Sequence, residues 1–334
     1  MAGIIFAKNS GLIDDTWKDT DKAIRSFLMD TDTEKNKEDE LVSALFNVGK
    51  SDSFAEKLGG MTEFGNFEPV DEGGKAVMDG IEEGFAKLIV HQAFAKSFVS
   101  TAEAKEDGNV DVMKMAAANY LKSFKRTRAQ FASDALTCGA AAFTFGKKSF
   151  DATCADGKAL FATDHPYKSI SGTQSNVYTD ALGIDDTVLN KLANIGRNFK
   201  NNSGQPMGYD FDTIMIPSDA PALERLIQKI IGSDHQVGND YNDVNVSKGK
   251  WKLVVNPLWS KGNAATDPYI IMSSQANKEL FGNLFYDRVA LTVNETVDPD
   301  TFNLDFNGRY RAGCGFNAWE HIIAGGFTGG TELA

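Results

Sequence analysis

The chain has 334 residues and a formal net charge of −12 at pH 7, with 42% hydrophobic and 24% charged residues. Domains run about 100–200 residues, so two domains or one elaborated domain are expected, of ordinary globular composition. No run of about 18 apolar residues occurs, which excludes a membrane-spanning helix, and the acidic balance argues against a sequence-blind grip on nucleic acid by the whole surface.

Residues 1 to about 50 are polar and charge-rich, and the start MAGIIFAKNSGLIDDTW lacks the basic n-region and long apolar core of a secretory signal. The charge run from Asp30 leads into Asp39, Leu41, Val42, Leu45, Phe46 and Val48, a short amphipathic helix with Gly49 as its stop. An arm with so small an apolar face stays mobile or docks on a larger body. Phe64, Phe67 and Val70 then lead into the glycine-rich VDEGGKAVMDG, and GFAKLIVHQAFAKSFVS follows. In it Leu88, Val90, Phe94 and Phe98 share one parity, which predicts a long strand with one apolar face. Two extended arms around a glycine-rich tip predict a projecting hairpin over 54–100.

The longest helical signal runs from Asn109 to about Cys138, with Asp107 or Asn109 as cap and Gly139 as stop. Val110, Met113, Ala117, Tyr120, Phe124, Phe131 and Ala135 recur at helical spacing, and no Pro or Gly interrupts them. At 1.5 Å per residue this helix is roughly 40 Å long. Lys122, Lys125, Arg126 and Arg128 make its middle basic; a solvated face or pairing with acidic neighbours is expected there ahead of phosphate contact.

Short strands and loops follow from Ala140 to Asn176. Leu189, Leu192 and Ile195 mark a helix over Ile184–Phe199. Phe211–Pro217 predicts a strand. Ser218 or Asp219 can cap the next helix, with Pro221 in its first turn and Leu223, Leu226, Ile227, Ile230 and Ile231 as its buried stripe. Ser233–Lys248 is a polar loop, and WKLVVNPLW and PYIIMSS are two more strands. Residues from about 205 to 280 thus form a small mixed α/β unit. Val289, Leu291 and Val293, the turn DPDT, then Phe302, Leu304 and Phe306 alternate as a closing hairpin. GGFTGGTELA is a flexible tail.

The stretch GKALFATDHPYKSISGTQSN, Gly157 to Asn176, looks like hydrolase material because it holds Asp164–His165 among hydroxyl residues. No G-x-S-x-G elbow is present, and Pro166 holds His165 extended, so a structural hydrogen bond in a turn is the expected role. His91, His165, His235 and His321 form no HxH or HExxH, and Asp210, Asp212 and Asp240–Asp243 lack calcium-loop spacing, so no metal site is expected. The pairs Gly59–Gly60, Gly73–Gly74 and Gly325–Gly326 match no phosphate-binding loop, so no cofactor is expected. Cys138, Cys154 and Cys314 have no CxxC spacing and are read as buried free thiols in a reducing compartment. With no catalytic set, the chain is not expected to be an enzyme.

Four stretches carry a resemblance. They are GKALFATDHPYKSISGTQSN, NNSGQPMGYDFDTIMIPSDAPALERLIQKII, KWKLVVNPLW and VALTVNETVDPDTFNLDFNGRYRAGCGFNAWEHI, spanning about residues 107–325. The first is similar to an LF-x-x-x-HP segment with a downstream Ser-Asn, the second to a G-x-P, strand and helix segment. The third resembles an apolar-x-Pro-x-Leu/Trp strand end, the fourth a closing hairpin with an aromatic-Arg-x-Gly-x-Gly turn and a Trp. In this order they resemble major capsid proteins of tailed phages with the Hong Kong 97 capsid fold, of the Mu-like major head subunit group.

The resemblance implies an α+β chain with an N-terminal arm at 1–53 and an extended loop at 54–100. A peripheral domain follows at 101–204, with its spine helix at about 109–138, then an axial domain at 205–284. The peripheral domain returns with the C-terminal tail at 285–334. It implies hexamers and pentamers of an icosahedral shell enclosing double-stranded DNA without sequence-specific binding, assembled in the host cytoplasm with a portal and a separate scaffolding protein, no membrane being involved. The alternative on the same fold is an encapsulin-like shell around an enzyme cargo. Inter-subunit candidates are Phe64, Phe67, Lys75, Leu88 and Val90 on the extended loop. Lys122, Arg126 and Arg128 on the spine, and His235 and Tyr241 in the polar loop near a local axis, complete the set. Some relatives cross-link through a loop lysine; Lys75 is expected instead to be a solvated tip residue.

Overall fold

The computed structural model describes residues 36–61, 67, 69–75, 78, 83–103, 110–168, 170–178, 184–202, 204–235, 244–261 and 267–326. Most of the expected arm, Phe64, the caps Asp107 and Asn109, Tyr241 and the end of the tail lie outside them. In chain order the elements are α1 (Lys37–Leu45), β1 (Asn47–Lys50), β2 (Ala55–Met61), β3 (Glu83–Val90), β4 (Gln92–Ser100), α2 (Val110–Thr137), β5 (Ala142–Phe145) and β6 (Lys148–Asp151). Then come β7 (His165–Pro166), β8 (Thr173–Gln174), β9 (Val177–Tyr178), α3 (Asp186–Arg197), β10 (Thr213–Pro217), α4 (Pro221–Gly232), β11 (Lys252–Asn256) and β12 (Tyr269–Met272). The chain closes with α5 (Ser274–Glu279), β13 (Asn283–Val297), β14 (Leu304–Phe316) and β15 (Ile322–Gly325).

Two compact units result, one drawn from residues 1–40, 92–129 and 288–312, the other from the remainder. In the first unit β4 pairs antiparallel with β14, from Gln92 opposite Ala312 to Ser100 opposite Leu304. Aromatic residues stand directly opposite one another: Phe94 stacks on Tyr310 at 4.9 Å and Phe98 on Phe306 at 4.7 Å. Such cross-strand pairs are the stabilising unit of a sheet. The sheet packs on α2, where Ala117 and Leu121 are buried with Leu304 and Phe306. The Tyr120 hydroxyl donates to the Lys96 carbonyl at 2.6 Å, and a Cβ on Gly308 would lie only 1.9 Å from that hydroxyl. Only glycine fits there.

In the second unit a five-stranded sheet has the order β11–β10–β12–β15–β9. β10 is parallel to β11 and antiparallel to β12; β15 is antiparallel to β12 and parallel to β9. Every residue of β10, β12 and β15 is buried. Strands covered on both faces are uniformly apolar runs, as TIMIP, YIIM and IIAG are. α3 starts on Asp185, whose carboxylate accepts from the Val188 amide at 2.7 Å. α4 presents Leu223, Ile227 and Ile230 to the core.

Several expectations are corrected. The helix read over Asp39–Val48 ends at Leu45, and Asn47–Lys50 instead forms β1, parallel to β13. Gly49 therefore lies in a strand, because a partner more than 200 residues away captures the backbone that the helical pattern claimed. The single long strand read through His91 is two strands, β3 and β4, pairing with β2 and β14 respectively. The mixed unit at 205–280 is not closed in sequence, since its sheet also takes β9 and β15. α4 has no side-chain cap: Asp219 turns away to the Ser260 hydroxyl and the Lys261 amide, leaving Ala220 at the cap position. Phe302 does not continue the alternation. It closes the turn with φ of 57°, its amide donating to the Asp298 carbonyl, and it is 71% exposed.

Candidate functional site

The Gly157–Asn176 segment folds so that its adjacent acid and imidazole separate. Asp164 is exposed and pairs with Lys158, which holds its carboxyl below the usual range. His165 is fully buried, and its Nδ1 lies 2.6 Å from Oδ2 of Asp156, nine residues upstream. Its ring stacks on Trp319 at 4.4 Å, and Phe199 meets the other ring edge-on at 5.2 Å. Nε2 of His165 has no hydrogen-bond partner among the described residues. Among the described residues no hydroxyl or thiol is therefore bonded to the His165 ring, and a ring without solvent access cannot meet a substrate. Asn176 fastens the same segment: its side chain accepts from the Ala162 amide and donates to the Leu160 and Ile322 carbonyls. Leu160 and Phe161 are buried beside it.

Two of the other histidines serve packing as well. His91 is buried and shares a 2.9 Å hydrogen bond with Ser51. His321 is buried against Gly282, its Nε2 lying 2.8 Å from Asn283 Oδ1, and burial pushes its pKa down to about 3. It is neutral at physiological pH. His235 is exposed. Cys154 is buried and Cys138 and Cys314 are half-buried; all three thiols are free, and burial raises all three. Thiols held protonated are poor nucleophiles and poor metal ligands. Among the described residues no group of three or more His, Cys, Asp or Glu could hold a metal ion. No helix there is long and apolar enough to cross a membrane.

What the chain offers instead is surface. β2 and β3 form an antiparallel ladder from Ala55 opposite Val90 to Met61 opposite Glu83. On one face Ile89 and Lys87 are buried, and the Lys87 ammonium donates to Asp151 Oδ2 at 2.6 Å and to the Thr153 hydroxyl at 2.7 Å. On the other face Leu88 and Val90 are 56% and 52% exposed, and Phe54 nearby is 72% exposed. Further along, Phe67 is exposed, and Lys75 is exposed just after a turn at Gly73 with φ of 79°. These neighbouring apolar side chains are open to solvent in the single chain.

The basic stretch of α2 divides. Lys125, almost fully buried, and Arg128 converge on Asp39 of α1, at 3.5 and 3.0 Å. Arg128, a candidate for contact between subunits, is thus engaged within its own chain. Lys122 and Arg126 face solvent. The sequence pattern showed neither Asp39 as the acceptor nor Asp156 as the partner of His165, since both pairings are set by tertiary packing.

No protein-family model matches the chain, and no curated protein sequence matches it. Many solved structures are similar. The capsid of the native GTA particle is 11% identical with a TM-score of 0.57, over 89% of this chain and 92% of that one. A chain from Mycobacterium phage Patience is 13% identical with a TM-score of 0.56, over 99% and 93%. A chain from Microbacterium phage Oxtober96 is 10% identical with a TM-score of 0.52, over 86% and 90%. At these identities the likeness is one of fold: the chain has the α+β Hong Kong 97 capsid fold.

Proposed function

We propose that the chain is the major head protein of a tailed-phage-type particle, assembling into hexamers and pentamers of an icosahedral shell around double-stranded DNA. The observation that carries this reading is the extent of the likeness: 89% of the chain aligns with 92% of a GTA capsid chain, and 86–99% of it with 90–93% of chains from two phages. The exposed face of β3 supports it, because an apolar surface is stable in water when a neighbour covers it. On this reading residues 54–100 form the extended loop, α2 lies in the peripheral domain and 205–284 form the axial domain. Phe67, Leu88 and Val90 are then subunit contacts, with Lys75 and His235 at the margins. A Mu-like head subunit is the subgroup its motifs favour, with a portal and a scaffolding protein as partners in the host cytoplasm.

The test is negative-stain microscopy of the full chain expressed with its scaffolding partner. Closed shells built of six- and five-fold capsomers are expected, with nucleic acid inside particles recovered from infection or induction. Monomers under every assembly condition would overturn the proposal. Shells holding a folded protein cargo in place of nucleic acid would move the chain to the encapsulin-like reading.

A further inference from the structure

Residues of α1 and α2 enclose an open depression of about 780 Å³ in the first unit. Its cations are Lys37, Lys122 and Arg126, and its anion is Glu38. Lys122 and Arg126 stand four residues apart on one helix face, with Cβ atoms about 5–6 Å apart. Neither is engaged in an ion pair among the described residues, because Asp39 is occupied by Lys125 and Arg128. Among the described residues three cations thus line the depression with one carboxylate, in a chain whose net charge is −12. The remaining lining groups, Asn36, Asn119 and Ser123, are neutral and can donate hydrogen bonds.

We propose that this depression holds the phosphate backbone of double-stranded DNA; as a contact with packaged DNA, it rests on the shell reading above. A set of donors with one anion matches phosphodiester oxygens. A docked protein neighbour matches less well: protein interfaces are depleted in lysine and centre on apolar anchors, and among the described residues no apolar side chain lines the depression. The proposed contact is to the phosphates, which carry no sequence information. A few cations bind weakly in one copy, but a shell repeats the contact many times over one continuous ligand. Lys122 and Arg126 are thereby reassigned from subunit contacts to DNA contacts.

The test is the salt dependence of binding between the full chain and a labelled random-sequence DNA duplex, read by fluorescence anisotropy. Each phosphate contact contributes about −0.9 to the slope of log affinity against log salt, so Lys122→Gln/Arg126→Gln should flatten that slope by about 1.8. Between about 50 and 200 mM salt, the wild type then loses roughly tenfold more affinity than the variant. An unchanged slope overturns the proposal. A second measurement uses particles: acylation of Lys37 and Lys122 by a small amine-reactive reagent, in filled and emptied shells. Protection only in filled shells is expected. Equal protection in both would mean that a protein neighbour covers the depression, and equal reactivity in both would mean that nothing does; either overturns it. Normal particles with an unchanged slope would sink this inference alone, whereas a flattened slope with no particles under any assembly condition would sink the shell reading and leave the depression as a DNA contact.

Discussion

β3 and β4 are separated by one residue, carry one continuous alternation and end in opposite situations. In β3 the even-numbered Leu88 and Val90 are exposed, while Lys87 and Ile89 are buried. In β4 the even-numbered Phe94 and Phe98 stack on Tyr310 and Phe306, their direct partners on β14. Alternation tells that a strand has two faces. It does not tell which face its own chain covers. In β4 the cover comes from aromatic residues about 200 positions away. In β3 the outward residues stand opposite Ala55 and Lys57, which cover nothing, and the inward face takes a lysine because Asp151 and Thr153 receive it. The apolar face of β4 is thus spent on the fold, and that of β3 stays open in the single chain.

The joint between them gives the largest expected effect. His91 is 4% exposed, bonded to Ser51, edge-on to Tyr286 at 6.1 Å, and packed where Gly313 admits its ring. Replacing it by Ala removes a buried ring and its hydrogen bond, and should destabilise the unassembled subunit by about 3 kcal/mol in chemical denaturation. It should also open the β3–β4 junction to limited proteolysis. A loss under about 1 kcal/mol would mean that His91 is a bystander and that the change of partner is fixed elsewhere.

Phe98→Ala should come next. The ring is half-buried between Phe306 and Tyr120, with centroids 4.7 and 5.0 Å away. Deleting a half-buried ring should cost about 2 kcal/mol, less than the 3–5 kcal/mol of a fully buried one. A near-zero change would put the face of β4 on the same footing as that of β3 and remove the contrast.

The contrast also marks what sequence could deliver. The long helix was legible to within a residue at each end, Asn109–Cys138 against Val110–Thr137, because its signal is local and uninterrupted. The strands TIMIP and YIIM and the helix from Pro221 were legible for the same reason. The structural role of His165 was foreseen from Pro166, but its partner Asp156 and its stacking on Trp319, 154 residues on, were not. β1 was read as the end of a helix because Phe46 and Val48 continue the helical spacing, and only pairing with β13 tells otherwise. Lys87 was invisible as a buried group, since its burial depends on two acceptors after β5. In each case local periodicity fixed the element, and a distant residue fixed the environment.

Leu88→Ser with Val90→Ser should have the smallest effect on the subunit and the most specific one on assembly. Both side chains are more than half exposed and face a small residue and a lysine, so the unassembled chain should unfold within about 0.5 kcal/mol of wild type. Shell yield, measured by sedimentation of particles against free subunit, should fall, because each copy would bring two hydroxyl groups to a surface that a neighbour must desolvate. A drop in stability of the size expected for Phe98→Ala would show that the chain covers this face itself. An unchanged particle yield would show that no neighbour does, and would leave Phe54 and Phe67, two exposed aromatic side chains among the described residues of the region, as the surface to alter next.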